Sequence, residues 1–129
     1  MCLLDSVTSW DVDRIDCRAS SHRSPANPLR LEDRLPAVVA IEYAAQAMAV
    51  HGGLRALPEQ DAAPGYLVTV RDARLHVATL DDITTDLEIS ATCQAADATG
   101  LVYAFEVKAD GRAVAEGRAM VALLARDGS

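Results

Sequence analysis

Pro36-Ala-Val-Val-Ala-Ile-Glu42-Tyr-Ala-Ala-Gln46-Ala-Met-Ala-Val50 is the stretch that decides how this chain folds. Proline sits well at the first helical position, where a missing N–H has no intrahelical partner to lose. Alanine, valine, isoleucine and methionine then run on to Val50, and Gly52-Gly53 supplies a C-terminal stop. The element is apolar on nearly every side, which predicts a buried helix rather than an amphipathic one. No other segment reads as a long helix.

Outward from the helix the pattern changes. Before it, Val7 to Arg18 mixes Val, Trp, Ile and Cys with Asp and Arg and is expected to form a first strand. Ala19 to Leu35, rich in Ser, Pro, Asn and Arg, reads as a long loop. A loop of that length is uncommon in a compact domain unless it has work to do. After the helix comes a second loop, Pro58 to Gly65, and then a period of two. Leu87, Ile89, Ala91 and Cys93 alternate with polar residues in Asp86 to Gln94, and Leu101, Tyr103, Phe105 and Val107 share one face of Leu101 to Lys108. Asp110-Gly111 is a strong hairpin-turn signal between this strand and Ala113 to Ala125. Tyr66 to Arg71 and Ala73 to Thr79 supply one or two further strands. One strand, one buried helix and then four or so antiparallel strands predict an α+β fold in which a sheet wraps around one central helix.

The chain has 129 residues, the size of one domain spanning 1–129. Half of its residues are hydrophobic, so it can bury a core, although only 4% are aromatic and 24 are alanine. A net charge of −7, with Lys108 the only lysine, argues against nucleic acid as a partner. Cys2, Cys17 and Cys93 form neither a Cys-x-x-Cys pair nor an even framework, which predicts reduced thiols and a cytoplasmic setting. The start, Met1 to Asp5, is too short and too acidic for a signal peptide, and the run from Leu35 to Val50 is too short to span a membrane. No metal or other cofactor is expected.

Glu42 and Gln46 are four residues apart and so stand about 40° from one another around the helix. Their neighbours are almost all Ala, Val, Ile and Met. An ionised carboxylate in apolar surroundings is expensive unless it is paired or kept protonated. Two explanations stay open at this point. Glu42 is a functional acid, or it pairs with an arginine of the long loop or faces a dimer partner.

Pro36-Ala-Val-Val-Ala-Ile-Glu42-Tyr-Ala-Ala-Gln46 resembles the central-helix motif of the hotdog-fold 3-hydroxyacyl-ACP dehydratases: His-Phe-Pro, a variable stretch, Pro-Gly, four residues, Glu, three residues, Gln. Gly65-Tyr-Leu-Val-Thr-Val-Arg71 and the strands paired around Asp110-Gly111 extend the likeness over nearly the whole chain. Glu-Tyr-Ala-Ala-Gln-Ala-Met-Ala-Val-His-Gly is most similar to the divergent branch associated with aryl polyene-type pigment biosynthesis. Two departures stand out. The family's glycine is Ala37 here, and the His-Phe-Pro segment is absent from its expected place, where Pro28 falls.

The resemblance implies a hotdog fold and the dehydration of 3-hydroxyacyl thioesters to trans-2-enoyl thioesters, with acyl carrier protein and its phosphopantetheine-bound chain as partner. It implies a catalytic set of His22 as base, Glu42 as acid and Gln46 to orient Glu42 or bridge to a second subunit. The Ala37 and Val38 amides would hold the thioester oxygen. His22 lies in the long loop, 20 residues before Glu42. His51 points away from Glu42 and reads better as a partner of the helix C-terminal dipole. His76 reads as a surface residue. An acidic chain meeting an acidic carrier needs a local positive patch. The Arg18–Arg34 stretch holds Arg18, Arg23, Arg30 and Arg34 against Glu32 and Asp33, with Arg23 and Arg30 the candidate substrate contacts and Arg71 and Arg74 in addition. Hotdog subunits imply a homodimer, or a heterodimer with another hotdog subunit. A hotdog thioesterase, or a non-catalytic subunit partnering an active dehydratase, are the competing readings. The missing His-Phe-Pro favours the latter.

Overall fold

In a computed structural model, which describes residues 3–32, 34–55, 65–96 and 100–123, the helix lies in the curve of a six-stranded sheet. The strands are β1 (Ser6–Trp10), β2 (Arg14–Ala19), β3 (Gly65–Leu75), β4 (Leu87–Ala96), β5 (Gly100–Ala109) and β6 (Arg112–Leu123). They are ordered β1-β2-β4-β5-β6-β3, and all neighbours are antiparallel. Helix α1 (Ala40–Arg55) packs on β2, β4 and β5. This is the α+β arrangement the sequence predicts.

The expected first strand, Val7 to Arg18, is a hairpin instead. Asp11 turns the chain: its Oδ1 accepts the N–H groups of Asp13 and Arg14 at 2.8 and 2.9 Å, and its own N–H donates to the Arg14 carbonyl at 2.8 Å. A short acidic side chain that caps its own turn interrupts a strand even inside an apolar pattern.

The helix also departs from expectation at both ends. Ala37–Val39 form a 3-10 turn, with the α-helix proper starting at Ala40 and running to Arg55. Gly52 therefore lies inside the helix, not after it. Only Gly111 among the described glycines has a positive φ, so the left-handed conformation that ends many helices is not used at Gly52. Nor is the helix buried on all sides. Ala40, Tyr43, Ala44, Ala47, Met48 and His51 are buried against the sheet, whereas Val38, Glu42, Ala49 and Leu54 are exposed. The open face is apolar apart from Glu42.

Tyr66 to Arg71 and the start of Ala73 to Thr79 belong to a single strand, β3, with a bulge at Asp72 (φ 55°). Residues 76–79 leave the sheet, and Thr79 bridges to Pro36. Gly117 lies across from the bulge. A Cβ there would come within 3.0 Å of the Phe105 ring and 3.2 Å of the Ala73 Cα, so the close approach requires glycine. The β5–β6 turn is as predicted: Asp110 (φ 52°) and Gly111 (φ 74°) both take the left-handed conformation of a tight hairpin. The core is drawn from β2, β4, β5, β6 and the inner helix face, with Ile15, Tyr43, Leu87, Ile89, Tyr103 and Val107 fully enclosed. Cys17 belongs to it, and burial pushes its thiol up to about 11, which makes it inert at neutral pH. No helix among the described residues is long and apolar enough to cross a membrane. Most of the expected Pro58–Gly65 loop, the end of the last predicted strand, and Met1 and Cys2 lie outside the described residues.

Candidate active site

The helix start is anchored by the segment that precedes β4. Ala37 N–H donates to the Ala78 carbonyl at 3.0 Å, Leu80 N–H to the Leu35 carbonyl at 2.7 Å, and Leu35 N–H to Asp81 Oδ1 at 2.9 Å. That last bond holds the Asp81 carboxyl below the usual carboxylate range. The expectation that the Ala37 and Val38 amides act together is thus corrected: Ala37 N–H is already committed to Ala78. Val38 N–H has no acceptor among the described residues, and the Val38 side chain is 54% exposed. An uncommitted amide at the start of a helix is a donor waiting for an oxygen.

Glu42 stands one turn further on, four residues after Val38. It is exposed on the isolated chain, which corrects the expectation of burial. No hydrogen bond or ion pair to its side chain is found among the described residues, so the alternative of pairing with a loop arginine is not realised there. Gln46 Oε1 accepts the Leu3 N–H at 2.7 Å and ties the start of the described chain to the helix.

The long loop is fastened to the helix by a directed chain of hydrogen bonds. Asn27 Nδ2 donates to the Tyr43 hydroxyl at 3.4 Å, Tyr43 donates to Ser21 Oγ at 2.6 Å, and Ser21 donates to the Leu3 carbonyl at 2.8 Å. Burial raises Tyr43 above its ordinary value, so the hydroxyl keeps its proton and its direction. Ser21, Asn27 and Tyr43 carry no catalytic spacing, and the sequence reading passes over them. The cue is an Asn-Pro turn facing a lone tyrosine in an otherwise apolar helix.

This fastening places His22. It sits in the 3-10 turn Ser21–Arg23 and is fully buried. Its Nε2 donates to the Ile83 carbonyl at 3.1 Å, which leaves Nδ1 unprotonated and without a partner. Burial pushes the ring below the ordinary histidine value, so it is neutral at pH 7. A neutral, oriented imidazole with one free lone pair has the makings of a base, but on this chain alone the ring is enclosed.

The two arginines expected to contact substrate have partners within the fold, Arg23 in the segment before β4 and Arg30 in the loop itself. Arg23 donates to the Thr84 carbonyl at 2.6 Å and pairs with Asp86 at 2.7 Å. Arg30 donates to the Ser24 carbonyl at 2.8 Å and the His22 carbonyl at 3.4 Å. Both brace the walls around His22.

His51 is structural. Its Nε2 donates to the Asp11 carbonyl at 2.8 Å, and its Nδ1 is hydrogen-bonded to the Tyr103 hydroxyl at 2.7 Å. Both nitrogens are engaged in joining the helix to β5 and to the β1–β2 turn. His76 is exposed, with Nε2 3.8 Å from Glu116, as expected of a surface residue.

A profile of the ApeP-like family, described as ApeP dehydratase, matches residues 1–125. Among solved structures the chain is similar to the dehydratase heterocomplex ApeI:P from Xenorhabdus doucetiae, at 24% identity over 97% of this chain and 84% of that one, with a TM-score of 0.80. It is also similar to AziG from S. sahachiroi, at 21% identity over 94% and 91%, with a TM-score of 0.68. A thioesterase variant from Pseudomonas aeruginosa shares 14% identity over 92% and 79%, with a TM-score of 0.67. No curated protein matches. The structural likenesses show a hotdog fold, in which dehydratases and thioesterases both occur. The family match covers almost every residue, the Glu42 and Gln46 helix included, and by it the chain belongs to the ApeP-like dehydratase family.

Proposed function

We propose that the protein is a cytoplasmic enzyme that dehydrates 3-hydroxyacyl thioesters carried on the phosphopantetheine arm of an acyl carrier protein, giving trans-2-enoyl thioesters. The observation that carries this reading is the position of Glu42 one turn after the uncommitted Val38 N–H, both residues exposed at the start of the helix. The reaction needs a donor for the thioester oxygen as negative charge grows there, and Val38 N–H offers it. It needs an acid to protonate the departing hydroxyl, and Glu42 in its protonated form fills that role. It needs a base for the proton beside the carbonyl, and the Nδ1 lone pair of His22 is neutral and uncommitted. Gln46, Arg23 and Arg30 act by positioning, through the Leu3 segment and the walls around His22. Thioester substrate, proton and water then balance: the base takes one hydrogen, and the hydroxyl leaves as water with the proton from Glu42.

The apolar open face of α1, with Val38, Ile41, Ala45, Ala49 and Leu54 around Glu42, supports assembly with a second hotdog subunit that covers it. Cover of that kind would also close the site around Glu42 to bulk water.

The enclosure of His22 and the missing His-Phe-Pro favour a second reading, in which the partner subunit supplies the base and this chain supplies Glu42. The Xenorhabdus dehydratase is itself a heterocomplex. Incubation with a 3-hydroxyacyl thioester and, separately, an acyl thioester separates the readings. Enoyl absorbance from this chain alone supports the first. Enoyl formation only after a second hotdog subunit is added supports the second. Free thiol without enoyl product makes the protein a thioesterase and ends both.

A further inference from the structure

Ser20 to Arg34 leads from the end of β2 towards the helix, and among its described residues the only buried ones are polar, His22 and Asn27. Leu29 is partly buried against the core and Leu31 is 67% exposed. A segment with so little apolar burial opens at low cost unless its polar contacts hold it. Those contacts fall into two sets. One staples the segment to itself: Asn27 Nδ2 donates to the Ser21 carbonyl at 3.0 Å, Asn27 Oδ1 accepts the Leu29 N–H at 2.9 Å, and Arg30 donates to the Ser24 and His22 carbonyls. The other fastens it to the rest of the fold: Ser20 to Asp5 at 2.6 Å, Ser21 and Asn27 to Tyr43, Ser21 to Leu3, Arg23 to Thr84 and Asp86, and His22 to Ile83.

Among these fastenings His22 is the side chain whose charge changes near neutral pH. Its Nδ1 has no hydrogen-bond partner, so a second ring proton would make a charged N–H without an aligned acceptor, enclosed away from water. The groups around the ring do not offset that cost. Within the segment, the Arg23 cation opposes the proton, and Arg30 donates to the His22 carbonyl at 3.4 Å. From the stretch before β4, the backbone of Ile83 and Thr85 and the Asp86 carboxylate favour it, but Asp86 is already paired with Arg23 at 2.7 Å. From α1, Tyr43 presents a neutral hydroxyl committed to Ser21, and from the start of the chain Asp5 is engaged by Ser20. Burial outweighs the favourable groups and holds the ring below its ordinary value.

We propose that Ser20–Arg34 is a strap latched by the neutral form of His22, and that protonation of His22 in mildly acidic solution releases the strap as one body from α1 and from the stretch before β4. The bonds by which Asn27 and Arg30 staple the segment to itself stay within it, so they survive release and keep it together. The helix-and-sheet core does not depend on the strap, which adds only a partly buried Leu29 to it. Once the strap is released, His22 reaches water and binds a proton at its ordinary affinity, so proton uptake and opening drive one another. Opening also takes both strap partners, Ser21 and Asn27, from the fully buried Tyr43 hydroxyl. The latch concerns where the ring sits, and it holds whether or not His22 acts as a base.

Amide hydrogen exchange of the whole protein at pH 7.5 and pH 5, corrected for the intrinsic pH dependence of exchange, tests it. Protection of peptides from Ser20–Arg34 should fall by about tenfold or more at pH 5, while peptides from β4 and β5 keep theirs. In His22→Gln the amide can still donate to the Ile83 carbonyl and does not titrate, so strap protection should be the same at both pH values. Tyr43→Phe removes a fastening without removing the titrating group, so it should lower strap protection at both pH values and keep the fall between them. Nitrogen NMR of the His22 ring in the parent gives a readout that needs no variant: the midpoint of strap release should coincide with protonation of Nδ1. Strap protection that does not change with pH, that falls equally in His22→Gln, that is lost only together with β4 and β5, or whose midpoint departs from that of the His22 ring overturns the proposal.

Discussion

The Ile83 carbonyl accepts a hydrogen bond of 3.1 Å from His22 Nε2, and that one contact decides which nitrogen of a fully buried ring keeps a free lone pair. Because the ring is lowered below its ordinary value of 6.5, chiefly by burial, the unfolded chain takes up a proton at higher pH than the folded one. Stability conferred by a neutral His22 is therefore complete above 6.5 and is lost as pH falls from there through the folded value. Asp16 and Asp81 are both lowered from 3.8, so their losses come at more acidic pH and do not overlap this window. Urea unfolding at pH 7.5 and pH 5 should show the parent losing stability and His22→Gln losing less. Equal losses in both proteins would place the titrating group elsewhere.

Turnover should separate the two buried histidines. His22→Ala is expected to lower the dehydration rate by roughly 10²-fold or more, the usual contribution of a positioned base. His51→Ala should affect stability far more than rate, because both of its nitrogens are engaged with Tyr103 and Asp11. If His51→Ala is the slower enzyme at equal folded fraction, the base has been misplaced. Tyr103→Phe provides the matching stability measurement: it strands His51 Nδ1 in the core and should cost about 1–3 kcal/mol.

Gly117→Ala tests the crossing of Phe105 and the β3 bulge. A Cβ at 3.0 Å from the Phe105 ring and 3.2 Å from a backbone atom of Ala73 cannot be accommodated by side-chain movement alone. A loss of about 1–3 kcal/mol in urea unfolding is expected, as for other overpacked sites. An unchanged midpoint would mean that the bulge yields freely.

The strand pattern was legible because it depends on local alternation. Leu87, Ile89 and Ala91 are buried as their spacing predicts, and Asp110-Gly111 turns as its residue types demand. The helix was legible in its existence and not in its orientation. Alanine, valine and methionine on every side leave no polar stripe to mark solvent, so nothing in the pattern indicates that Glu42 faces outward. Gly52 misleads for a related reason: a helix end is settled by tertiary contacts such as those of His51, not by glycine alone. The placement of His22 depends on Ser21, Asn27 and Tyr43, whose hydrogen bonds join distant positions and leave no periodic trace. The arginines of the loop carry charge that the sequence shows, but their partners, Asp86 and the carbonyls of Ser24, His22 and Thr84, come only with the fold.

Assembly offers a separate check. The apolar outer face of α1 around Ala49 is expected to be covered by a second subunit, so the parent should sediment as a dimer at micromolar concentration. Ala49→Glu places a charge on that face at an exposed position and should give a folded monomer. A stable monomeric parent would contradict the account.

Glu42→Gln is the most direct test of the proposed chemistry. The amide has nearly the shape of the acid, and Glu42 makes no bond to a described residue that the fold could lose, so the melting temperature should match the parent. An amide cannot protonate a departing hydroxyl, so enoyl formation from a carrier-bound 3-hydroxyacyl thioester should fall by roughly 10²-fold or more in the same preparation. A variant that folds normally and forms enoyl product at the parental rate would contradict the assignment of Glu42 as the acid, and with it the mechanism.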